Sequence, residues 1–195
     1  MEQILALIGF SVVSSVTPGP NNLLLWASGA EFGFRRTVPH VLGTAAGIGA
    51  MALVGVVAIG AVIALIPGVA LAMKVAGSLY LLYLAWQVAA AGALQRRTIA
   101  RPLGLGQAAA FQLINPKAWT FALGAITTLR PLGLSSLVGG GVVAVTMMLV
   151  IVPTAAVWAV GGTVIGRSLA DTRRRRAVSL VLAAVLAATV VFVWV

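Results

Sequence analysis

Long apolar runs alternate with turn signals and basic clusters along the chain, giving six candidate spans: Ile4 to Trp26, Val41 to Ile66, Val69 to Ala91, Leu105 to Leu129, Leu137 to Ile165 and Ala177 to Val195. Each approaches the roughly 20 residues that a helix needs to cross a hydrocarbon core of about 30 Å. The pattern therefore predicts an all-α integral membrane protein with six transmembrane helices. Pro67 and Gly68 leave almost no loop between the second and third spans, which predicts a helical hairpin, and the segment from Arg130 to Ser136 joins the fourth and fifth in the same way.

Two of the six runs are interrupted. Thr17-Pro18-Gly19-Pro20-Asn21-Asn22 breaks the first and Asn115-Pro116-Lys117 breaks the fourth. Placing Pro18 on Pro116 shifts the chain by 98 residues, about half of its 195. The same shift carries the second span onto the fifth, and the third corresponds to the sixth after a small insertion in the basic loop. Three spans per half is an odd number, so the two copies must enter the membrane from opposite sides, the inverted-repeat plan of many secondary transporters. The expected architecture is one transmembrane domain over residues 1–195, with repeats at about 1–95 and 102–195 and broken first and fourth helices. It is a repeat of breaks and lengths, with little residue identity behind it.

Composition removes the soluble alternatives. Hydrophobic residues make up 61% of the chain and charged residues only 8%, against about 25% charged in an ordinary soluble domain; the mean hydropathy is +1.11. The net charge of +10 reads as loop charge, because Arg35 and Arg36, Arg96, Arg97 and Arg101, and Arg167 with Arg173 to Arg176 lie between the apolar runs. On an alternating count these fall on one side, leaving Lys74 and Arg130 near the other. The positive-inside rule then places the first, third and fifth loops in the cytoplasm and both termini outside it, in a multi-pass protein of a bacterial inner membrane. Trp26 and Trp194 fall near span ends, where amphipathic rings favour the interface. The basic loops suit anionic lipid; no basic aromatic surface is left to read nucleic acid. Glu2 in place of a basic n-region, and an apolar run continuing past Pro18, predict a retained first helix and no cleaved signal. Cysteine is absent, which removes disulfides, thiolate metal sites and dithiol relays.

The breaks carry the candidate chemistry. Proline deletes a backbone donor and glycine relaxes the chain, so Pro18-Gly19-Pro20 should open the helix. Exposed peptide groups at membrane depth persist only where protein or a water-lined cavity satisfies them. Thr17, Asn21 and Asn22 can do so, and the following helix N-terminus offers free N–H groups and positive dipole to a carboxylate. The bland alternative is a structural kink closed by asparagine. Lys117 is the charge that lies well inside a span. A buried ammonium costs at least ~2.5 kcal/mol unless paired or hydrated, so it should face the interior and meet a substrate carboxylate, bond the broken backbone near Pro18, or release its proton during transport. Alternatively it snorkels to the nearby cytoplasmic surface. Thr17, Pro18, Gly19, Pro20, Asn21, Asn22, Asn115, Pro116 and Lys117 thus form the expected substrate site. Gly43 and Gly47, Lys74, Tyr80 and Gln112 are candidate pathway lining; the two glycines, like Gly162 and Gly166, also permit close helix approach, and Tyr83 and Gln87 are polar positions of the same kind as Tyr80 and Gln112.

No Asp or Glu lies inside a predicted span, since Glu2, Glu31 and Asp171 are terminal or in loops. A carboxylate proton relay, a carboxylate cation site and a counter-ion for a dibasic substrate are all disfavoured. With one histidine and no cysteine, metal efflux is disfavoured too. His40 titrates in a useful range, but its place at a span end reads as a loop or interface residue. No cofactor is called for.

With these motifs in this order the chain resembles the LysE/RhtB family of amino-acid exporters. The first-span motif reads Thr17-Pro18-Gly19-Pro20-Asn21-Asn22, the third-span pattern is similar at Lys74, Gly77 and Tyr80 to Leu84, and the fourth-span motif at Asn115-Pro116-Lys117. The resemblance implies efflux of amino acids or derivatives from the cytoplasm, driven by the proton motive force, with protons as a compatible partner alongside the small-molecule substrate and with homo-oligomers allowed. Asn21 stands where many relatives have Asp, which with the missing membrane acids favours a neutral, homoserine- or threonine-like substrate. Two other classes compete: a membrane hydrolase pairing Ser14 or Ser15 with Lys117, which lacks a nucleophile motif, and a passive pore or structural membrane subunit. Activity is expected to be transport and not catalysis.

Overall fold

The computed structural model describes residues 2–55 and 101–168 continuously, with isolated positions in 75–89 and 176–191. Six helices occupy the continuous segments: α1 (Glu2–Val16), α2 (Pro20–Phe32), α3 (Phe34–Val54), α4 (Leu105–Leu113), α5 (Pro116–Leu129) and α6 (Ser136–Ser168). Both expected breaks are present. Residues 17–19 divide the first span into α1 and α2, bent by 60°, and residues 114–115 divide the fourth into α4 and α5. Proline occupies the first position of both second halves, Pro20 in α2 and Pro116 in α5. There its missing N–H is one that the helix could not use and its fixed φ suits the start. Pro20 and Pro116 thus start the helix after each break, 96 residues apart, while Pro18 lies within the first break.

The second span begins at Phe34, seven residues before the expected Val41. Arg35 and Arg36 end the apolar run in sequence, yet both are exposed in the first turn of α3, so the charge sits outside the packed face. A single residue, Gly33, joins α2 to α3. Its φ of 80° lies in the region that a side chain makes costly and glycine adopts freely. The shift moves His40 from a span end to the second turn of a buried helix.

Helices α2 and α3 pack along α6, α1 crosses α6 and α5, and α4 lies on α3. Leu7, Leu25, Ile48, Met51, Phe121, Met147 and Ile151 form the core where they meet, with alanine filling much of the remainder. The outer faces stay apolar: Leu149 is 70% and Val157 69% exposed on α6. An apolar exterior around a buried polar centre is the arrangement that lipid permits and water does not. By length and composition, α3 and α6 can each cross a membrane, and the bent α1–α2 pair passes the same test when its two helices are taken together. The third and sixth expected spans lie mostly outside the described residues; their described positions, including Leu79, Tyr83, Trp86, Leu180 and Val191, are helical.

Candidate functional site

The two breaks meet. From the second position of α5, the Lys117 Nζ donates to the carbonyl oxygens of Thr17 and, at 3.2 Å, Pro18. An ammonium is well placed there, because the last carbonyls of α1 lack helical partners and carry the negative end of its dipole. The second position of α2, Asn21, reaches in the opposite sense: its Oδ1 accepts from Gln112 Nε2 in the last turn of α4 at 2.9 Å. Each second-half helix thus sends its second residue to the end of the other half's first helix. Asn22 closes its own break, donating from Nδ2 to Ser15 O at 2.7 Å and Thr17 O at 2.8 Å.

Asn21 Oδ1 is also approached by Thr44 Oγ1 at 3.1 Å and His40 Nε2 at 3.3 Å. Gln112 Nε2 donates further to Ala108 O, and its Oε1 accepts from Asn115 Nδ2 at 3.1 Å. The Asn115 Oδ1 in turn caps α5 by accepting from the Lys117 N–H at 3.2 Å. A continuous buried amide and imidazole network therefore joins α2, α3, α4 and α5. Such groups are costly in an apolar interior unless paired. The α2 N-terminus differs from α5: its cap position is Gly19, which has no side chain to offer.

These groups surround a cavity of about 30 Å³ walled by Ser14, Ser15, Asn21, Asn22, Thr44, Gln112, Asn115, Lys117 and Thr154 on polar sides and by Ile48, Phe121 and Ile151 on apolar ones. At roughly 10–15 Å³ per water, that space holds about two waters and is too small for an amino acid. Among the described residues, Lys117 is the one cation on its wall and no carboxylate joins it.

Of the expected site, Gly19, Asn21, Asn22, Asn115 and Lys117 line the cavity, Thr17 and Pro18 supply carbonyls to Lys117, and Pro20 and Pro116 start the two helices. Gln112, expected as lining, is both lining and the bridge between breaks. Gly43 and Gly47 lie at the contact of α3 with α4, against Leu105, Ala108 and Ala109, and off the cavity wall. Lys74 and Tyr80 lie outside the described residues. The loop reading of His40 is corrected: it is 1% exposed and bonded to Asn21. Thr44 was missed. The legible signal was its spacing, since His40 and Thr44 stand four apart, on one face of an otherwise apolar helix. Ser15 Oγ donates to Val12 O while Lys117 Nζ is held by backbone, so a Ser15–Lys117 dyad is not formed.

The sequence model described as LysE type translocator matches residues 12–194. Among curated proteins the chain is similar to the cysteine/O-acetylserine efflux proteins of Salmonella paratyphi A and Salmonella typhi, 24% identical over 119 residues. It is likewise similar to that of Escherichia coli strain K12, 25% identical over 119 residues. In each case the match covers 61% of this chain and 61% of the relative, so the chain spans about three fifths of the curated relatives it matches. No solved structure matches.

Proposed function

As the chain belongs to the LysE type translocator family, a family of membrane transporters, we propose that it exports a small neutral amino acid or a homoserine- or threonine-like derivative from the cytoplasm, driven by the proton motive force. The observation that carries this reading is the convergence, on a cavity with no carboxylate among its described lining residues, of the Lys117 ammonium and the α2 N-terminus that no side chain caps. Both favour an anionic group. The amides of Asn21, Asn22, Asn115 and Gln112 and the hydroxyls of Ser14, Ser15, Thr44 and Thr154 supply neutral hydrogen-bonding partners for the rest of a zwitterion. A second positive charge on the substrate would find no partner there. The names of the relatives, which concern cysteine and O-acetylserine, agree with a small uncharged side chain.

The proposed architecture is a single transmembrane domain of six spans in two inverted three-helix repeats, at about 1–95 and 102–195, with both termini outside the cytoplasm. In it the substrate carboxylate displaces the Thr17 and Pro18 carbonyls from Lys117. That exchange frees the two broken helices to rock against each other and open the cavity to the far side. A passive pore or structural subunit is the alternative class, favoured only if transport runs solely downhill.

The test is efflux of a panel of preloaded radiolabelled amino acids from cells expressing the protein, with and without an uncoupler, for wild type, Asn21→Ala and Lys117→Ala. We expect uncoupler-sensitive efflux of a neutral amino acid. Losing one hydrogen bond to a charged group, about 1.5–3 kcal/mol, should weaken Lys117→Ala by about 10- to 100-fold. Uncoupler-insensitive leakage of all solutes alike would instead establish the pore.

A further inference from the structure

Resting on that reading, we propose that His40 is the proton-binding site of the transport cycle, with Nδ1 as the atom that takes the proton and Asn21 as the residue that passes its arrival on to the substrate site.

The geometry defines the tautomer. His40 Nε2 faces Asn21 Oδ1 at 3.3 Å. That oxygen accepts from Thr44 and Gln112 and has no hydrogen to give, so Nε2 carries the ring hydrogen and Nδ1 carries the free lone pair. Nδ1 is fully buried and has no hydrogen-bond partner among the described residues. A buried acceptor left unsatisfied destabilises the fold, which is tolerable where the atom is needed open in one state and occupied in another.

Protonation there has a route to Lys117. A proton on Nδ1 makes the Nε2–H a charge-assisted donor, roughly twice as strong as a neutral one. Gln112 and Thr44 already reach Asn21 Oδ1, an amide oxygen with two lone pairs, and the single hydroxyl hydrogen of Thr44 is also within reach of the His40 carbonyl at 2.9 Å, so a firmer hold by His40 turns Thr44 to that carbonyl or loosens Gln112. Gln112 holds Asn115, which caps the helix that carries Lys117. The proton thereby biases the latch between Lys117 and the end of α1. The bistable part is the choice of donor on Asn21. The proton binds from the side to which substrate leaves and is released to the side from which substrate comes, without any covalent step.

Among the described residues, the charged groups around His40 leave it as the candidate. Helix α3 packs on α2, α4, α5 and α6. Helix α2 carries Glu31, which is exposed, α4 carries no titratable residue, α5 carries Lys117, engaged by backbone carbonyls, and α6 carries Arg167 in the sequence after Gly166, which packs on Ala30. On α3 itself Arg35 and Arg36 are exposed. None of Glu31, Lys117, Arg35 and Arg36 bonds to His40.

The test uses the full chain in liposomes with labelled O-acetyl-L-serine and L-threonine. Two fluxes are compared, counterflow, which moves no net proton, and flux driven by an imposed pH gradient. His40→Gln keeps an N–H donor for Asn21 but has no titrating nitrogen. The ratio of gradient-driven flux to counterflow should fall by about tenfold in the variant, whereas a merely structural histidine would lower both together. An unchanged ratio overturns the proposal and leaves the exporter standing, as does wild-type counterflow with no response to the gradient. Absence of wild-type counterflow removes the export reading itself and the proposal with it. If His40→Gln does not fold, the chain's single histidine allows ¹⁵N NMR of histidine-labelled wild type in nanodiscs. The proposal expects an Nε2–H imidazole whose Nδ1 gains a proton as the pH falls; a ring that stays neutral down to the acid limit at which the protein remains folded overturns it.

Discussion

Gly19 stands where the broken helices meet, and its lack of a side chain leaves the room that Lys117 uses. Its backbone is extended, with φ −176° and ψ 173°, which any residue adopts, so the requirement is purely steric. A Cβ there would lie 2.7 Å from Lys117 Cδ and 3.2 Å from Nζ. The obstructed atoms belong to the far end of a flexible side chain, so the protein can yield by moving the lysine. Gly19→Ala should therefore fold with little loss of thermal stability while drawing Nζ away from the Thr17 and Pro18 carbonyls. Transport should fall by about tenfold, the equivalent of a hydrogen bond to a charged group, and by less than in Lys117→Ala. Efflux assays paired with melting curves in detergent would check this. Equal loss of stability and activity would mean that Gly19 serves packing alone.

At the scale of elements, the seam between α2 and α6 is built by backbone approach. Without a hydrophobic drive between helices in lipid, close packing must supply the attraction, and small residues permit it. Gly29 lies on the Ala159 carbonyl, Gly162 on that of Trp26 and Gly166 on that of Ala30. Thr163 Oγ1 adds a hydrogen bond to Gly29 O at 3.0 Å. Backbone cannot step aside as Lys117 can, so Gly162→Ala should separate the helices. Overpacking of about 1–3 kcal/mol, at about 2–4 °C per kcal/mol, should lower the apparent melting temperature by about 2–12 °C. Gly141→Ala in the same helix, where a Cβ meets nothing within 4 Å, should not. Differential scanning fluorimetry of both variants would read the contrast.

The same scale explains what the sequence discloses. The breaks were legible because proline and glycine act locally, and Lys117 was legible because a lone cation in an apolar run must find partners. The start of α3 was not, because an apolar window stops at Arg35 and Arg36 whereas a helix needs only one buried face, and these arginines lie off it. The burial of His40 and the part of Thr44 were illegible for the same reason: their partner, Asn21, is brought to them by a turn of one residue at Gly33 and by packing between helices. The cross-linking of the breaks by Gln112 is a contact between residues 91 apart in sequence, which periodicity does not encode.

For the whole molecule, the proposed alternating access and a passive pore differ in how the cavity beside Lys117 opens. A pore needs a continuous water path, whereas the space of about 30 Å³ at this site holds about two waters, and the proposed carrier opens it to one side at a time. The chain has no cysteine, which makes a single introduced thiol an unambiguous reporter. Ser14 lines the cavity from α1, and Ser14→Cys is a conservative replacement. We predict that a membrane-impermeant thiol reagent labels this position from either face, in right-side-out and in inside-out vesicles, but that added substrate changes the two rates in opposite directions, because one population of molecules is divided between two openings. Labelling from both faces that substrate slows together would be the signature of a water-filled pore being occluded, and would remove the alternating-access mechanism while leaving the geometry of the breaks intact.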